Sequence, residues 1–162
     1  PYLMSIAVRY HHNQEDAVNV LNLAFYKIIT KLKQFNIENS FKAWCRTILV
    51  NTIISEFRKN QTYIKSMSPT DFEMEQGNLA NWEFDEINET IDAEHLRTKM
   101  EELVEPEKTI LNLFVIDGYS HKEIAIMLSI PEGTSKWHLS NARKNLKQKL
   151  TKAIHHNKAI TL

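Results

Sequence analysis

The chain has 162 residues, 43 % of them hydrophobic, with 20 Lys and Arg against 20 Asp and Glu and so a formal net charge of zero. That length holds one core or two small ones, and a content of only 3 Gly and 4 Pro makes an all-α architecture the natural expectation. No run of 18 apolar residues is available to span a bilayer, and the first residues lack the charged-then-apolar pattern of an export signal, so membrane insertion is not expected. One cysteine excludes an internal disulfide and fits a reducing cytoplasm. The opening at Pro1 rather than Met leads us to expect a trimmed or partial chain.

The zero balance conceals a segregation. Residues 1–65 carry nine Lys and Arg against four Asp and Glu, residues 66–105 two against twelve, and residues 106–162 nine against four. Local balances of +5, −10 and +5 describe two basic modules joined by an acidic connector. Fields act over about a Debye length, ~8 Å at physiological salt, so each basic module meets a polyanion by itself.

In the first module, Leu21, Ala24, Phe25, Ile28, Ile29 and Leu32 recur at helical spacing and predict a core helix with Asn19, Asn22, Tyr26 and Lys27 nearer the outer face. A loop at Phe35-Asn36-Ile37-Glu38-Asn39 follows. Ser40 is placed to cap the next helix, whose stripe of Phe41, Trp44, Cys45, Ile48, Leu49, Thr52 and Phe57 is expected to pack inward while Lys42, Arg46, Arg58 and Lys59 stay wet. Cys45, beside Trp44 and Ile48, reads as buried packing rather than as a nucleophile. A helix that mixes aromatics with cations is compatible with a plain core element. It is also what holding an unstacked base requires, since an extruded base wants a stacking face and its backbone wants cations.

Residues 66–100 read as a linker, with Ser68-Pro69 and Gly77 as breakers and no sustained apolar period before about Ile87. Acidic composition alone fits a solvating spacer. Phe72, Met74, Leu79, Trp82 and Phe84 are many large apolar groups for a spacer, and they read alternatively as docking points on a basic partner surface.

The last module holds the most specific local pattern, GYSHKEIAIMLSIPEGTSKWHLSNARKNLKQKL from Gly118 to Leu150. Ser120 and Glu123 form an S-x-x-E capping box that opens a short helix. Ser129-Ile130-Pro131 ends it, and Pro131 suits the first turn of the next. The second helix, from about Glu132 to Leu150, turns Leu139, Ala142, Leu146 and Leu150 inward. Thr134, Lys136, Trp137, Ser140, Asn141 and Lys144 are left facing a groove or solvent. This is the layout of a helix-turn-helix, although an amphipathic hairpin in a solvated bundle shares its periodicity. Ser129 stands where such turns usually have glycine, and Ser135 where a buried valine is common.

The other chemistries find little support. His11-His12 and His155-His156 are adjacent pairs, not the i, i+4 spacing that puts two ligands on one helical face, and no cysteine cluster accompanies them. No Gly-rich phosphate loop or nucleophile elbow is present. We therefore expect no metal, no cofactor and no catalytic residue.

SFKAWCRTILVNTIISEFRKN resembles the region 2 helix of the extracytoplasmic-function sigma factors of bacterial RNA polymerase, in the sigma-70 family. GYSHKEIAIMLSIPEGTSKWHLSNARKNL resembles their region 4. The order also matches, with EDAVNVLNLAFYKIITKL before the first and EPEKTILNLFVID before the second, so the resemblance covers nearly the whole chain, short only where the first helix is clipped at PYLMSIAVRYHHN. It implies two small helical domains, region 2 at 1–65 and region 4 at 101–162, joined by the acidic linker at 66–100.

The resemblance further implies a role for each part. Asn19, Asn22, Leu23 and Tyr26 would grip the clamp helices of the polymerase largest subunit. Phe35, Asn36, Asn39 and Phe41, with Asn51, would capture a flipped base of the downstream promoter element, while Lys42, Trp44, Arg46, Arg58 and Lys59 help melt and hold that DNA. Glu132, Thr134, Lys136, Trp137, His138, Ser140, Asn141, Arg143 and Lys144 would read the upstream element, the apolar side of the module docking on the flap of the second-largest subunit. The connector would thread toward the active site, its carboxylates mimicking nucleic acid. The implied function is promoter recognition, DNA melting and initiation in the bacterial cytoplasm, with core polymerase and promoter DNA as partners. An anti-sigma factor or a recruiting DNA-bound factor is a further partner the resemblance allows. A free-standing helix-turn-helix regulator, or a sigma-like subunit recruited to DNA by another factor, stays open as the alternative.

Departures from the pattern set expectations too. Asn19 and Asn22-Leu23 replace residues that are commonly Asp and Gln-Glu, which alters a contact usually made by acids. Ser55 beside Glu56 stands for a usual aspartate, and Asn141 for a frequent arginine. With the atypical Trp137, Asn141 points to an A/T-leaning upstream site, since Asn pairs bidentately with adenine and an aromatic ring covers the thymine methyl.

Overall fold

The computed structural model describes residues 2–11, 13–60 and 93–160, with the side chains of the last helix described as far as Thr151. Every regular element among the described residues is helical, and the helices fall into two compact units. The connector's apolar residues Phe72 to Phe84, and the ring of His12 and those of His155 and His156, lie outside the described residues.

The first unit packs α1 (Tyr2–Tyr10), α2 (Gln14–Lys31) and α3 (Phe41–Lys59) pairwise against one another. Asn13 starts α2 by accepting from the Asp16 amide at 2.7 Å, and Glu15 and Asp16 in the first turn suit the positive end of the helix dipole. A single 3-10 turn, Leu32–Gln34, ends it. Ser40 caps α3 as expected, its hydroxyl accepting from the Ala43 amide at 3.3 Å.

The buried face of α2 differs from the expected stripe. Ala17, Val20, Ala24 and Ile28 are buried, whereas Phe25, Ile29 and Leu32 are 45, 70 and 50 % exposed. Apolar residues cover more of this helix than one contact face can bury, and the two alanines select the side on which neighbouring helices approach closely. On α3 the buried set is Cys45, Leu49, Val50, Thr52, Ile53 and Ile54. The centre of α3 is covered on two adjoining sides because both α1 and α2 pack on it. Phe41 is left 48 % exposed, and Trp44, Ile48 and Phe57 are half-buried. Burial raises the Cys45 thiol pKa, which keeps it inert as the sequence suggested. Lys27 on α2 donates to the buried Thr52 hydroxyl at 3.1 Å, tying the two long helices together.

The second unit comprises α4 (Ala93–Glu101), α5 (Glu105–Leu111), α6 (His121–Leu128) and α7 (Glu132–Ile160). The helix α4 lies within the stretch read from sequence as connector, and it packs on α7. Pro106 stands in the first turn of α5, where its missing N–H leaves no bond unmade. The helix then widens into a π turn, Asn112–Ile116, closed by Asp117 N–H to Asn112 O at 2.9 Å. Leu103, Ile110, Leu111, Leu113, Ile124, Leu128, Leu139, Ala142 and Leu150 supply the apolar core, with Leu146 half-buried. Within it, both carboxylate oxygens of buried Glu107 accept from Asn145 at 2.9 Å. Burial raises the Glu107 pKa, and the Asn145 hydrogen bond opposes that.

The capping box forms as read. Glu123 N–H reaches Ser120 Oγ at 3.3 Å and Ser120 N–H reaches Glu123 Oε2 at 2.8 Å. The turn after α6 explains what Ser129 does in place of glycine. Its φ is +58°, in the left-handed region, while Ile130 N–H closes the helix end on Ala125 O at 3.1 Å. A side chain there costs about 1–2 kcal/mol, of which glycine's extra unfolded-state entropy, about 0.5–1 kcal/mol, would take back part. Ser129→Gly is therefore expected to stabilise the second unit by about 0.5–1 kcal/mol, read as a higher midpoint in denaturant melts. An unchanged or lower midpoint would place the cost of this turn elsewhere.

Candidate nucleic-acid interface

The loop before α3 is held by its own polar groups. Asn36 Oδ1 accepts from the Glu38 amide at 3.0 Å and Asn36 O from the Asn39 amide at 3.0 Å, a tight turn that leaves Asn36 and Asn39 exposed. It delivers Phe35 to the start of α3, where three rings gather: Phe35 with Phe41 and with Trp44 at 5.2 Å between centroids, and Phe41 with Trp44 at 5.8 Å. A partly exposed aromatic cluster beside polar amides gives a base both a stacking face and hydrogen-bonding groups. Along α3, Trp44, Asn51 and Arg58 fall on one line at helical spacing, Asn51 and Arg58 exposed. Lys42 and Arg46 are not on it. Lys42 places its ammonium 4.1 Å from the Tyr2 ring centroid, and Arg46 is half-buried on another side. Lys59 is exposed but paired with Glu56 at 2.8 Å.

On α2 the four expected partner-binding residues, Asn19, Asn22, Leu23 and Tyr26, are all exposed. They lie beside Val18, Phe25, Ile29 and Leu32, which recur at alternating steps of four and three once Asn22 is included. This makes an apolar stripe, interrupted by Asn22, that faces away from the core. Sequence reasoning assigned Phe25, Ile29 and Leu32 to the core. The signal that could have placed them outside is the alanine pair, which marks the opposite side as the closely packed one.

On α7 the buried line is Ser135, His138, Leu139, Ala142 and Leu150. Two expected DNA contacts are corrected by it. Thr134 and His138 are both buried, because Thr134 precedes His138 by one turn and both side chains point to the covered side. Small polar residues at a helix start are not all outward. Lys136 and Lys144 are exposed, and Trp137, Ser140, Asn141 and Arg143 are partly exposed, on the remaining arc. Glu132, at the start of that arc, pairs with Lys136 at 2.7 Å. Sequence reasoning missed Lys147, exposed one turn beyond Arg143; its i+4 step from Arg143 was the available signal. Trp137 packs edge-on against the His138 ring at 4.7 Å.

Ser135, standing where a valine is common, is fully buried and bonded to His121 Nδ1 at 2.9 Å. The His121 ring stacks on Phe114 at 4.3 Å. This replaces an apolar contact between the two helices of the motif by a satisfied polar one. Burial lowers the His121 pKa from its ordinary 6.5, with Lys136 and Arg143 adding to the effect and Glu132 opposing it. Its contribution to stability is accordingly full above pH 6.5 and lost as pH falls through the lowered folded value. Among the described residues no group of three or more His, Cys, Asp or Glu is gathered as for a metal, and no helix is long and apolar enough to cross a membrane.

The comparisons with known proteins agree on both units. Residues 1–63 match the family model described as Sigma-70 region 2, and residues 93–146 the one described as Sigma-70, region 4. The chain is 25 % identical over 159 residues to the RNA polymerase sigma-H factor of Pseudomonas aeruginosa, covering 91 % of this chain and 80 % of that one. It is 25 % identical over 155 residues to the RNA polymerase sigma factor YlaC of Bacillus subtilis, covering 93 % and 87 %. Among solved structures, the sigma factor RpoE of Bartonella quintana, in complex with the anti-sigma factor NepR, superposes with a TM-score of 0.54 at 21 % identity, over 94 % of this chain and 91 % of that one.

If the outward arc of α7 meets phosphates, replacing Lys136 and Arg143 by Ala flattens the salt dependence of duplex binding, by roughly 0.9 in the log-log slope for each lost contact. An unchanged slope means that these cations do not touch the backbone. A thermal melt series over pH checks the electrostatic picture separately: the second unit loses stability as pH falls below 6.5, and His121→Asn reduces that loss.

Proposed function

The chain belongs to the extracytoplasmic-function branch of the sigma-70 family, whose members bind core RNA polymerase and direct it to promoters, and from that premise we propose which of its surfaces does what. Residues 1–65 are the module that binds core and opens DNA, and residues 101–162 the module that reads the upstream element. The acidic stretch 66–100 links them, and α4, which begins within it, packs on α7.

The observation that carries this assignment is the outward apolar stripe of α2. A helix exposing Val18, Phe25, Ile29 and Leu32 at steps of four and three through Asn22, with Leu23 and Tyr26 beside them, is unfavourable in water and suited to lie against partner helices. We assign it, with Asn19 and Asn22, to the clamp helices of the polymerase largest subunit. Asn19 and Leu23 in place of acids shift this contact from charge toward apolar burial. The ring cluster of Phe35, Phe41 and Trp44, with Asn36, Asn39 and Asn51, captures an extruded base of the downstream element, supported by stacking worth about 1–3 kcal/mol per base. Lys136, Ser140, Asn141, Arg143, Lys144 and Trp137 read the upstream element in the major groove, and the apolar side of the module docks on the flap of the second-largest subunit. A free-standing regulator would leave the α2 stripe and the ring cluster without a task.

The chain supplies no catalytic group of its own in this reading, and works in the bacterial cytoplasm alongside the polymerase. The solved neighbour is held by an anti-sigma factor, and the same α2 stripe gives this chain an apolar surface for such a partner to cover.

Ile29→Asp tests the assignment with little risk to the fold, since Ile29 is 70 % exposed. It is expected to lower core-polymerase affinity by at least about tenfold, a cost of about 1.4 kcal/mol, at unchanged helicity. Wild-type affinity in the variant would remove α2 from the interface. A charge placed at Ile37, exposed in the loop, serves as the control and leaves core binding intact.

A further inference from the structure

His121 is a titratable group that ties together both helices of the DNA-reading motif. It opens α6 directly after the Ser120 cap, is bonded through Nδ1 to Ser135 on α7 at 2.9 Å, and is stacked on Phe114 at 4.3 Å. We infer that His121 is a proton-linked part of the upstream-element grip, taking up a proton as promoter phosphates neutralise Lys136 and Arg143, so that binding tightens as pH falls. This rests on the assignment of the outward arc of α7 to DNA.

The hydrogen bond does not forbid the charged form. A neutral imidazole accepts at Nδ1 from the Ser135 hydroxyl, and an imidazolium donates from Nδ1 to the Ser135 oxygen, so the two helices stay pinned in either state. The surroundings set the charge. Burial disfavours the imidazolium, and from α7 Lys136 and Arg143 repel it, while Glu132 attracts it. Glu132 is itself occupied by Lys136 at 2.7 Å. Lys122 is the neighbouring cation on α6, and the π turn presents the uncharged Phe114 ring. In the free protein the sum holds the ring neutral at pH 7. A phosphate backbone drawn to Lys136 and Arg143 reverses the sign of the local field, and the same imidazole then gains by ionising. Linkage makes the effect reciprocal: if DNA raises the His121 pKa by one unit, protonation strengthens DNA binding by up to tenfold.

The test measures promoter affinity of the reconstituted holoenzyme from pH 8 to pH 6 for the wild type and for His121→Asn, whose amide sits near the position of Nδ1 and cannot titrate there. The wild type is expected to tighten about three- to tenfold more than the variant over that range. Equal pH profiles overturn the inference. NMR titration of the His121 ring in the intact free chain, with and without a short duplex, gives a second reading that needs neither polymerase nor a folded variant. A pKa that rises on adding duplex supports the linkage, and one that stays put overturns it. Loss of promoter-specific binding together with a duplex-induced rise would count against the promoter-reading assignment and leave the proton linkage standing.

Discussion

The structure turns on which side of α2 is buried. The helix carries more apolar surface than a three-helix unit can cover. Ala17 and Ala24, with Val20 and Ile28, let α1 and α3 approach on one side and commit the larger residues to the other. Burial returns roughly 25 cal/mol for each Å² of apolar surface, so exposing Phe25, Ile29, Leu32 and Tyr26 forgoes several side chains' worth of stabilisation. That arrangement is consistent with a surface completed by a partner. Once α2 is committed, α3 is fixed across it through Lys27 and Thr52, and the loop between them must present Phe35 to Phe41 and Trp44.

The second unit solves a different problem with local means. Its short α6 and long α7 are joined by a part-buried polar pair, His121 and Ser135, and their turn is made by a serine in a conformation that favours glycine. Each substitution moves the motif away from its commonest form, and the one at Ser135 is compensated by His121. The Ser120–Glu123 cap fixes where α6 begins, the Ile130 amide fixes where it ends, and the stacked imidazole replaces the missing apolar contact. The reading face therefore acquires a titratable group next to its cations, which the commoner valine would not have brought.

Much of this was legible in the sequence because it is local. The capping box, the Ser40 cap, the helix-stopping turn and the inward Leu139, Ala142 and Leu150 are set by residues within a few positions of one another. The segregated charge along the chain separates the two basic modules. What failed was the choice of face where a helix is apolar or polar over more than half its circumference. Phe25, Ile29 and Leu32 share the periodicity of core residues, and Thr134 and His138 share the polarity of groove-facing ones. Which side is covered in each case depends on packing partners distant in sequence. The same limit hid the pairing of His121 with Ser135, fourteen positions apart.

Two basic grips, an apolar docking stripe and an acidic link make sense together only if one polymerase holds both units on one promoter. The most direct test is to reconstitute core polymerase with this chain and map transcript 5′ ends from a randomised promoter library. The account requires discrete starts that depend on the chain, each preceded at fixed distances by a shared downstream element and a separate upstream element. Starts no different from those of core polymerase alone would contradict it.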